Sequence, residues 1–213
     1  MFTARTLLEG KLPIVVLTAL SGATVIWCPV RWASLPPLAL LAFVISFFRD
    51  PEREVPTDDR TIMAPADGTA VEVRAANEPE FLKTDARMVA IFLSVMDVHV
   101  QRAPIAGEIK LVRYNKGRFY DARKSEAATR NENRVIGIEG ADGFRVVVKQ
   151  IAGMIARRIV GWAGEGASLA KGERIGMIRF GSRVELYVPT DCEIVVKVGD
   201  HVRGGETIIA RRR

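Results

Sequence analysis

Apolar and polar positions divide this chain into two unlike parts. Residues 12–28 and 33–48 carry no charge, with Arg31 and Trp32 between them, and together they fill most of the first quarter of the sequence. A helical run of about 17 residues reaches about 25 Å, against a hydrocarbon core of about 30 Å. The pattern therefore predicts an N-terminal membrane helical hairpin, as two spans or one re-entrant pair, turning near Pro29 to Trp32 and interrupted at Pro36-Pro37. A signal peptide would also place Arg5 and Lys11 before an apolar run. Here no small-x-small site leads into a polar mature region, and a second apolar run follows at once. Arg5, Lys11, Arg49 and Arg53 flank both open ends, which by the positive-inside tendency puts those ends in the cytoplasm.

Beyond Arg53 the period changes from helical to alternating. Short runs rich in β-branched residues at 69–74, 88–94, 107–113, 144–149, 176–180, 183–188 and 192–197 are mostly bounded by Gly, Asp or Pro, and predict strands. Such spacing favours a mainly β domain, a compact barrel or sandwich. Two segments, Pro65-Ala-Asp-Gly68 and Pro104-Ile-Ala-Gly107, share the shape of a strand entered by a glycine turn. The closing stretch 198–210 is similar to the hammerhead of biotinyl and lipoyl carrier domains, although no lysine stands at a comparable hairpin tip. Residues 125–133 are the one helical candidate of this part. Residues 150–160 read as a strand buried on one side, with Arg157 and Arg158 reaching a phosphate or a partner carboxylate.

Charge narrows the partners. The 213 residues hold 31 Lys and Arg against 25 Asp and Glu, a net charge of +6, and end in Arg211-Arg212-Arg213. No aromatic stacking set or recognition helix accompanies this charge, which argues against nucleic acid. Beside an apolar anchor, anionic lipid headgroups are the simpler partner. Cys28 and Cys192 lie in unrelated stretches, and no spacing suits a metal.

Three places carry candidate chemistry. Gly181-Ser182, between two strand-like runs, is either a hairpin turn or a bond that the chain cuts in itself by attack of the Ser182 hydroxyl on the Gly181 carbonyl. Alternation along 88–100 puts Leu93, Val95, Asp97 and His99 on one face, so His99 is either a core histidine bonded to backbone or an acid–base group near neutral pH. His201, the other histidine, reads as an exposed loop residue. Asn131, Asn133 and Arg134 offer polar groups for a substrate phosphate or for closing a site; otherwise they form a charged loop.

The run Lys171-Gly-Glu-Arg-Ile-Gly-Met-Ile-Arg-Phe-Gly-Ser-Arg-Val-Glu-Leu-Tyr-Val-Pro189 closely resembles the processing segment of phosphatidylserine decarboxylases, the short bacterial and archaeal class above all. Phe47-Phe-Arg-Asp-Pro-Glu-Arg53, Ala64-Pro-Ala-Asp-Gly68, Ser94-Val-Met-Asp-Val-His-Val-Gln-Arg-Ala-Pro104, Asn131-Glu-Asn-Arg134 and the stretch from Gln150 to Val160 agree in order. The resemblance implies a self-cleaved proenzyme divided into residues 1–181 and 182–213, the two chains staying associated, with a pyruvoyl cofactor made from Ser182. It implies decarboxylation of phosphatidylserine to phosphatidylethanolamine through a Schiff base, with no metal. It assigns Asp67, otherwise a turn aspartate, to orienting or assisting the base that deprotonates Ser182, with His99 as catalytic imidazole. The region around 115–133 then lines the substrate site, with Asn131, Asn133, Arg134 and Arg157 as substrate-binding candidates.

Two departures matter. Longer members read Asp-x-His-x-x-His, whereas Arg102 stands at the second histidine, and Arg183 follows Ser182 where they have threonine. His99 is therefore expected to serve both maturation and catalysis. The expected organisation is a membrane anchor over 1–53 and a decarboxylase domain over 54–213, at the inner membrane and facing the cytoplasm, with homo-oligomerisation left open. The rivals are a pyruvoyl enzyme acting on another amino lipid or a soluble amino acid, and a membrane-tethered lipoyl-like domain without enzymatic activity.

Overall fold

The computed structural model describes residues 2–27, 30–124, 126–154, 158–179 and 181–213. Cys28, Pro29 and Arg157 lie outside the described residues, and with them the substrate-binding expectation for Arg157. The chain divides into two compact units, Met1–Glu52 and Arg53–Arg213.

The first unit is helical. Helix α1, Ala4–Trp27, begins well before the charge-free run because Thr3 and Thr6 cap it reciprocally: the Thr3 N–H donates to Thr6 Oγ1 at 3.2 Å and the Thr6 N–H to Thr3 Oγ1 at 3.4 Å. A 3-10 turn, Arg31–Ser34, leads into α2, Leu35–Phe47. Pro36 and Pro37 occupy the first turn of α2, where a missing N–H leaves no bond unmade. They open the second helix rather than interrupt it. Among the described residues α1 alone is long and apolar enough to cross a membrane. The 13 residues of α2 reach only about 20 Å.

The second unit is mainly β. Its strands are β1 Thr61–Met63, β2 Gly68–Glu78, β3 Thr84–Leu93, β4 Val100–Arg102, β5 Gly107–Asn115, β6 Asn133–Glu139, β7 Arg145–Ala152, β8 Ile159–Gly161, β9 Ser168–Leu169, β10 Arg174–Ile178, β11 Ser182–Pro189, β12 Glu193–Ile194, β13 His201–Val202 and β14 Ile208–Arg211, with one short helix, α3, Ala127–Arg130. Eight strands form one curled antiparallel sheet in the order β13-β2-β3-β11-β7-β6-β5-β9. Two small sheets, β1-β14-β12 and β4-β10-β8, accompany it. The core between them holds Ile91, Leu93, Ile136, Val148, Ile175, Val184 and Leu186. The two proline–glycine segments lie side by side, Met63 N–H donating to the Pro104 carbonyl and Arg102 N–H to that of Pro65. The closing hammerhead completes the group through Ala64 N–H to Thr207 and Gly205 N–H to Ala64.

Four local expectations are corrected. The strand expected through residue 100 stops at Leu93, because Asp97 closes a turn by accepting the Ser94 N–H and hydroxyl, each at 2.8 Å. Residues 150–160 are two strands, not one: β7 ends at Ala152, and β8 belongs to another sheet. The helical candidate at 125–133 shrinks to α3, and Asn133 opens β6, a central strand buried on both faces. Finally, β10 and β11 do not pair; the Gly181-Ser182 step joins two different sheets, which removes the hairpin reading.

Strand β11 is hydrogen-bonded on both sides, to β3 and to β7. Alternation sends Ser182, Val184, Leu186 and Val188 to the core face. Arg183, Glu185 and Tyr187 face the other way, where Arg183 Nε donates to Glu185 at 2.8 Å, its guanidinium also reaches Glu72, and the Tyr187 hydroxyl donates to Glu185 at 2.7 Å. Arg183 is 1% and Glu185 0% exposed. Removing one partner of such a pair strands the other charge in low dielectric. Arg183→Met should therefore lower stability by about 3–5 kcal/mol, read as a shift in the urea unfolding midpoint of the uncleaved chain.

Candidate active site

The site is built where three strands end together. Ser182, the first residue of β11, lies opposite Leu93, the last residue of β3, and opposite Ala152, the last of β7. The chain segments leaving these strands converge on Gly181-Ser182. Gly181 has φ +64°, the left-handed region that favours glycine, and no atom lies within 4 Å of where its Cβ would be.

The turn after β3 delivers His99, which is fully buried. Its Nδ1 is 2.8 Å from the Asp97 backbone carbonyl, and a carbonyl can only accept, so Nδ1 carries the proton. That leaves Nε2 with the lone pair, and Nε2 accepts the Gly181 N–H at 3.2 Å. His99 is thus bonded to backbone on both ring nitrogens, and its Nε2 holds Gly181 through the N–H one peptide before the candidate cut. The Ser182 hydroxyl is itself buried with no hydrogen-bond partner among the described residues. A buried hydroxyl left unbonded costs about 1–3 kcal/mol, so its position is one that packing alone does not explain.

Asp67 lies in the turn before β2. Its carboxylate takes two hydrogen bonds from Arg53 Nη2, at 2.9 and 2.8 Å, and one from the Gly204 N–H at 2.9 Å. Burial pushes this carboxyl above its usual value, against the opposing pull of Arg53 and the Gly204 N–H, and nearby Asp97 adds to the rise. Asp97 is the second acid here, bonded to His201 Nε2 at 3.2 Å and holding the Asp97 carbonyl that orients His99. Arg102, at the position of the family's second histidine, donates to the Gly172 carbonyl at 3.1 Å and lies along Gly205.

The remaining candidates serve different places. Asn131 accepts the Tyr120 N–H at 2.8 Å and donates to the carbonyls of Tyr120 and Ala152, so it ties the loop before α3 to the strand end opposite Ser182. Asn133 donates to the Asn131 carbonyl and accepts from Asn115. Arg134 is buried against Gln150, Ile175 and Ala163, and burial lowers its pKa. It joins His99 through a chain of buried amides: Arg134 donates to Gln150, Gln150 to Gln101, and Gln101 to the His99 carbonyl at 2.8 Å. Gln101 and Gln150 were not singled out from the sequence, Asp97 was noted only as a carboxylate on the face of His99 and Arg53 only as a basic flank of the apolar runs, although each stands inside one of the motif segments. Beside Gly181 opens a cavity of about 280 Å³ lined by Phe92, Ser94, Val95, Ala122, Arg123 and Met154 among others.

The comparisons with known proteins define the class first: this is a decarboxylase. The family model described as phosphatidylserine decarboxylase matches residues 40–210. The chain is 45% identical over 174 residues to the phosphatidylserine decarboxylase proenzyme of Desulfotalea psychrophila, covering 82% of this chain and 81% of that one. It is 44% identical over 194 residues to that of Symbiobacterium thermophilum, 91% of this chain and 90% of the relative, and 44% over 197 residues to that of Carboxydothermus hydrogenoformans, 92% of each. The chain belongs to the phosphatidylserine decarboxylase family.

The raised carboxyl of Asp67 has a testable sign. Between the usual value of 3.8 and the raised one, the folded chain keeps a proton that the unfolded chain has released, so this group's contribution to stability falls as pH rises through that window. Urea midpoints of Ser182→Ala with and without Asp67→Asn, compared between about pH 3.5 and 6, should differ by a term that declines with rising pH. A term that grows instead would mean the Arg53 pairing wins over burial.

Proposed function

We propose that this chain cuts itself between Gly181 and Ser182 and decarboxylates phosphatidylserine with the pyruvoyl group so formed. The observation that carries the reading is the buried, unbonded Ser182 hydroxyl beside a glycine held by the lone-pair nitrogen of His99, in a member of this family. Self-cleavage needs a nucleophile next to its carbonyl, a base, and a group that orients the base. Ser182 and the Asp97 carbonyl take the first and last of these roles, and His99 Nε2 takes the second once its lone pair leaves the Gly181 N–H for the Ser182 hydroxyl. Asp67, fixed by Arg53 and Gly204, is assigned to assisting the cut as an acid beside Asp97, whose carbonyl orients His99.

The residues fit the group. Position 182 is the start of a strand bonded on both sides, so a new N-terminus there stays in place after the cut, and the two chains stay together through the β3–β11–β7 ladder. A pyruvoyl ketone supplies an electrophile that captures a primary amine and accepts electrons as carbon dioxide leaves. This chain's own part is to orient the headgroup, exclude water and return a proton. The cavity at Gly181, with apolar Phe92, Val95 and Met154 beside the Asp121–Arg123 ion pair, suits a lipid headgroup next to its acyl stem, with Arg123 as the cation for the phosphate once it leaves Asp121. His99, buried at the cut, is placed to give the proton back.

Helices α1 and α2 together are the proposed membrane anchor, as two spans or one re-entrant pair, with Arg5, Lys11 and Arg49 keeping both ends on the cytoplasmic side. Deleting residues 1–48 should leave processing intact and move the protein from the membrane to the supernatant on sedimentation. A truncated chain still wholly membrane-bound would make the basic β domain the anchor.

Intact mass under denaturing conditions should show residues 1–181 and a second chain, 182–213, blocked to N-terminal sequencing. Recovery of only the full-length chain from active enzyme would rule the mechanism out. Ser182→Ala should stay whole and inactive, Asp67→Ala should chiefly block processing, and His99→Ala should lose about 10² to 10⁴ in decarboxylation rate and process more slowly. A His99→Ala protein that matures and decarboxylates at near wild-type rate would return His99 to a packing role.

A further inference from the structure

We propose that Gly153 is a positioning residue for the cut: its bare Cα is the wall that holds the Gly181 carbonyl in place for attack. The proposal rests on the self-cleavage reading above. Gly153 directly follows Ala152, the residue opposite Ser182. A Cβ built on it would stand 2.1 Å from the Gly181 carbonyl oxygen, 3.1 Å from the carbonyl carbon and 3.3 Å from the Ala122 Cβ.

The two glycines at the site are there for different reasons. Gly181 needs its conformation, at φ +64°, and has open space where a side chain would be. Gly153 is not among the residues of positive φ, so its backbone suits any residue. What requires glycine at 153 is the closeness of another backbone carbonyl, the one that Ser182 is to attack.

In the step concerned, a bond forms from Ser182 Oγ to the Gly181 carbonyl carbon and the π pair moves to the carbonyl oxygen. Collapse then breaks the C–N bond, and the hydroxyl proton passes by way of His99 to the departing nitrogen, leaving an ester. A methyl group at 153 would have to push the carbonyl oxygen away by more than about 1 Å to reach ordinary contact. Ser182 cannot follow, because it is paired with Leu93 on one side and Ala152 on the other. Carbonyl and hydroxyl are thereby drawn out of line, and a misplacement of about 1 Å costs about 10²-fold in rate.

The test is Gly153→Ala in the full-length chain, with cleavage followed by mass after a pulse of synthesis and thermal unfolding recorded alongside. Gly137→Ala is the control, since its Cβ would meet the Phe81 ring at 2.6 Å, away from the cut. Expected is cleavage about 100-fold slower than wild type for Gly153→Ala with a cooperative unfolding transition retained, and wild-type cleavage with a lowered midpoint for Gly137→Ala. Hydroxylamine cleaves an ester but not the amide, so it should fail to speed chain separation in Gly153→Ala if the acyl shift is the blocked step. The proposal is overturned if Gly153→Ala cleaves within about threefold of wild type. It is also overturned if hydroxylamine restores separation, or if Gly153→Ala alone loses its cooperative transition and so proves to be a folding residue. A wild-type chain that never separates into two overturns the cleavage reading itself, a result distinct from all of these.

Discussion

Everything at the candidate cut depends on β11 being hydrogen-bonded on both sides from its first residue. A strand with a partner on each edge cannot slide or twist without breaking two ladders. Ser182 is therefore fixed in position while the residue before it, Gly181, sits in a left-handed turn outside the sheet. The boundary between a rigid strand and a left-handed glycine falls on the one peptide bond that the proposed chemistry concerns. The same ladders explain how a chain cut there keeps its shape.

The two faces of β11 divide the work. On the core face Ser182 continues a row of aliphatic side chains, so its hydroxyl is buried and, among the described residues, unbonded. On the opposite face Arg183 and Glu185 form a buried network with Glu72 and Tyr187, one that is weak as a source of net stability but strict about register. A one-residue slip would carry Ser182 to the polar face and Arg183 into the core. The charged pair thus acts against misregister at the position where misregister would matter most. It also gives a structural use for the arginine that stands where longer family members have threonine.

His99 shows how much one turn changes the meaning of a residue. Read as part of a long strand, it shares a face with Asp97. In the fold, Asp97 instead closes a turn with Ser94 and presents its backbone carbonyl to the imidazole, and this sets the tautomer with Nε2 toward Gly181. The buried amides of Gln101 and Gln150 link this turn to Arg134 on β6, so three sheet-borne side chains brace a histidine on a loop.

By itself the sequence determined the apolar N-terminal hairpin, the mainly β character of the rest, and the identity of Ser182, His99 and Asp67 as residues of interest. Charge-free runs, period-2 runs and spelled motifs are all local signals. It misplaced the end of β3, merged β7 with β8, and left open whether Gly181-Ser182 was a hairpin, because alternation tells a strand's faces but not its neighbours or where a turn stops it. Only the tertiary structure decided that β10 and β11 lie in different sheets, that Asp67 is held by Arg53 and the Gly204 N–H, and that Gly153 lies against the Gly181 carbonyl. Those contacts join segments from 14 to 137 residues apart, brought together by sheet pairing and burial, and no local pattern in the chain encodes that distance.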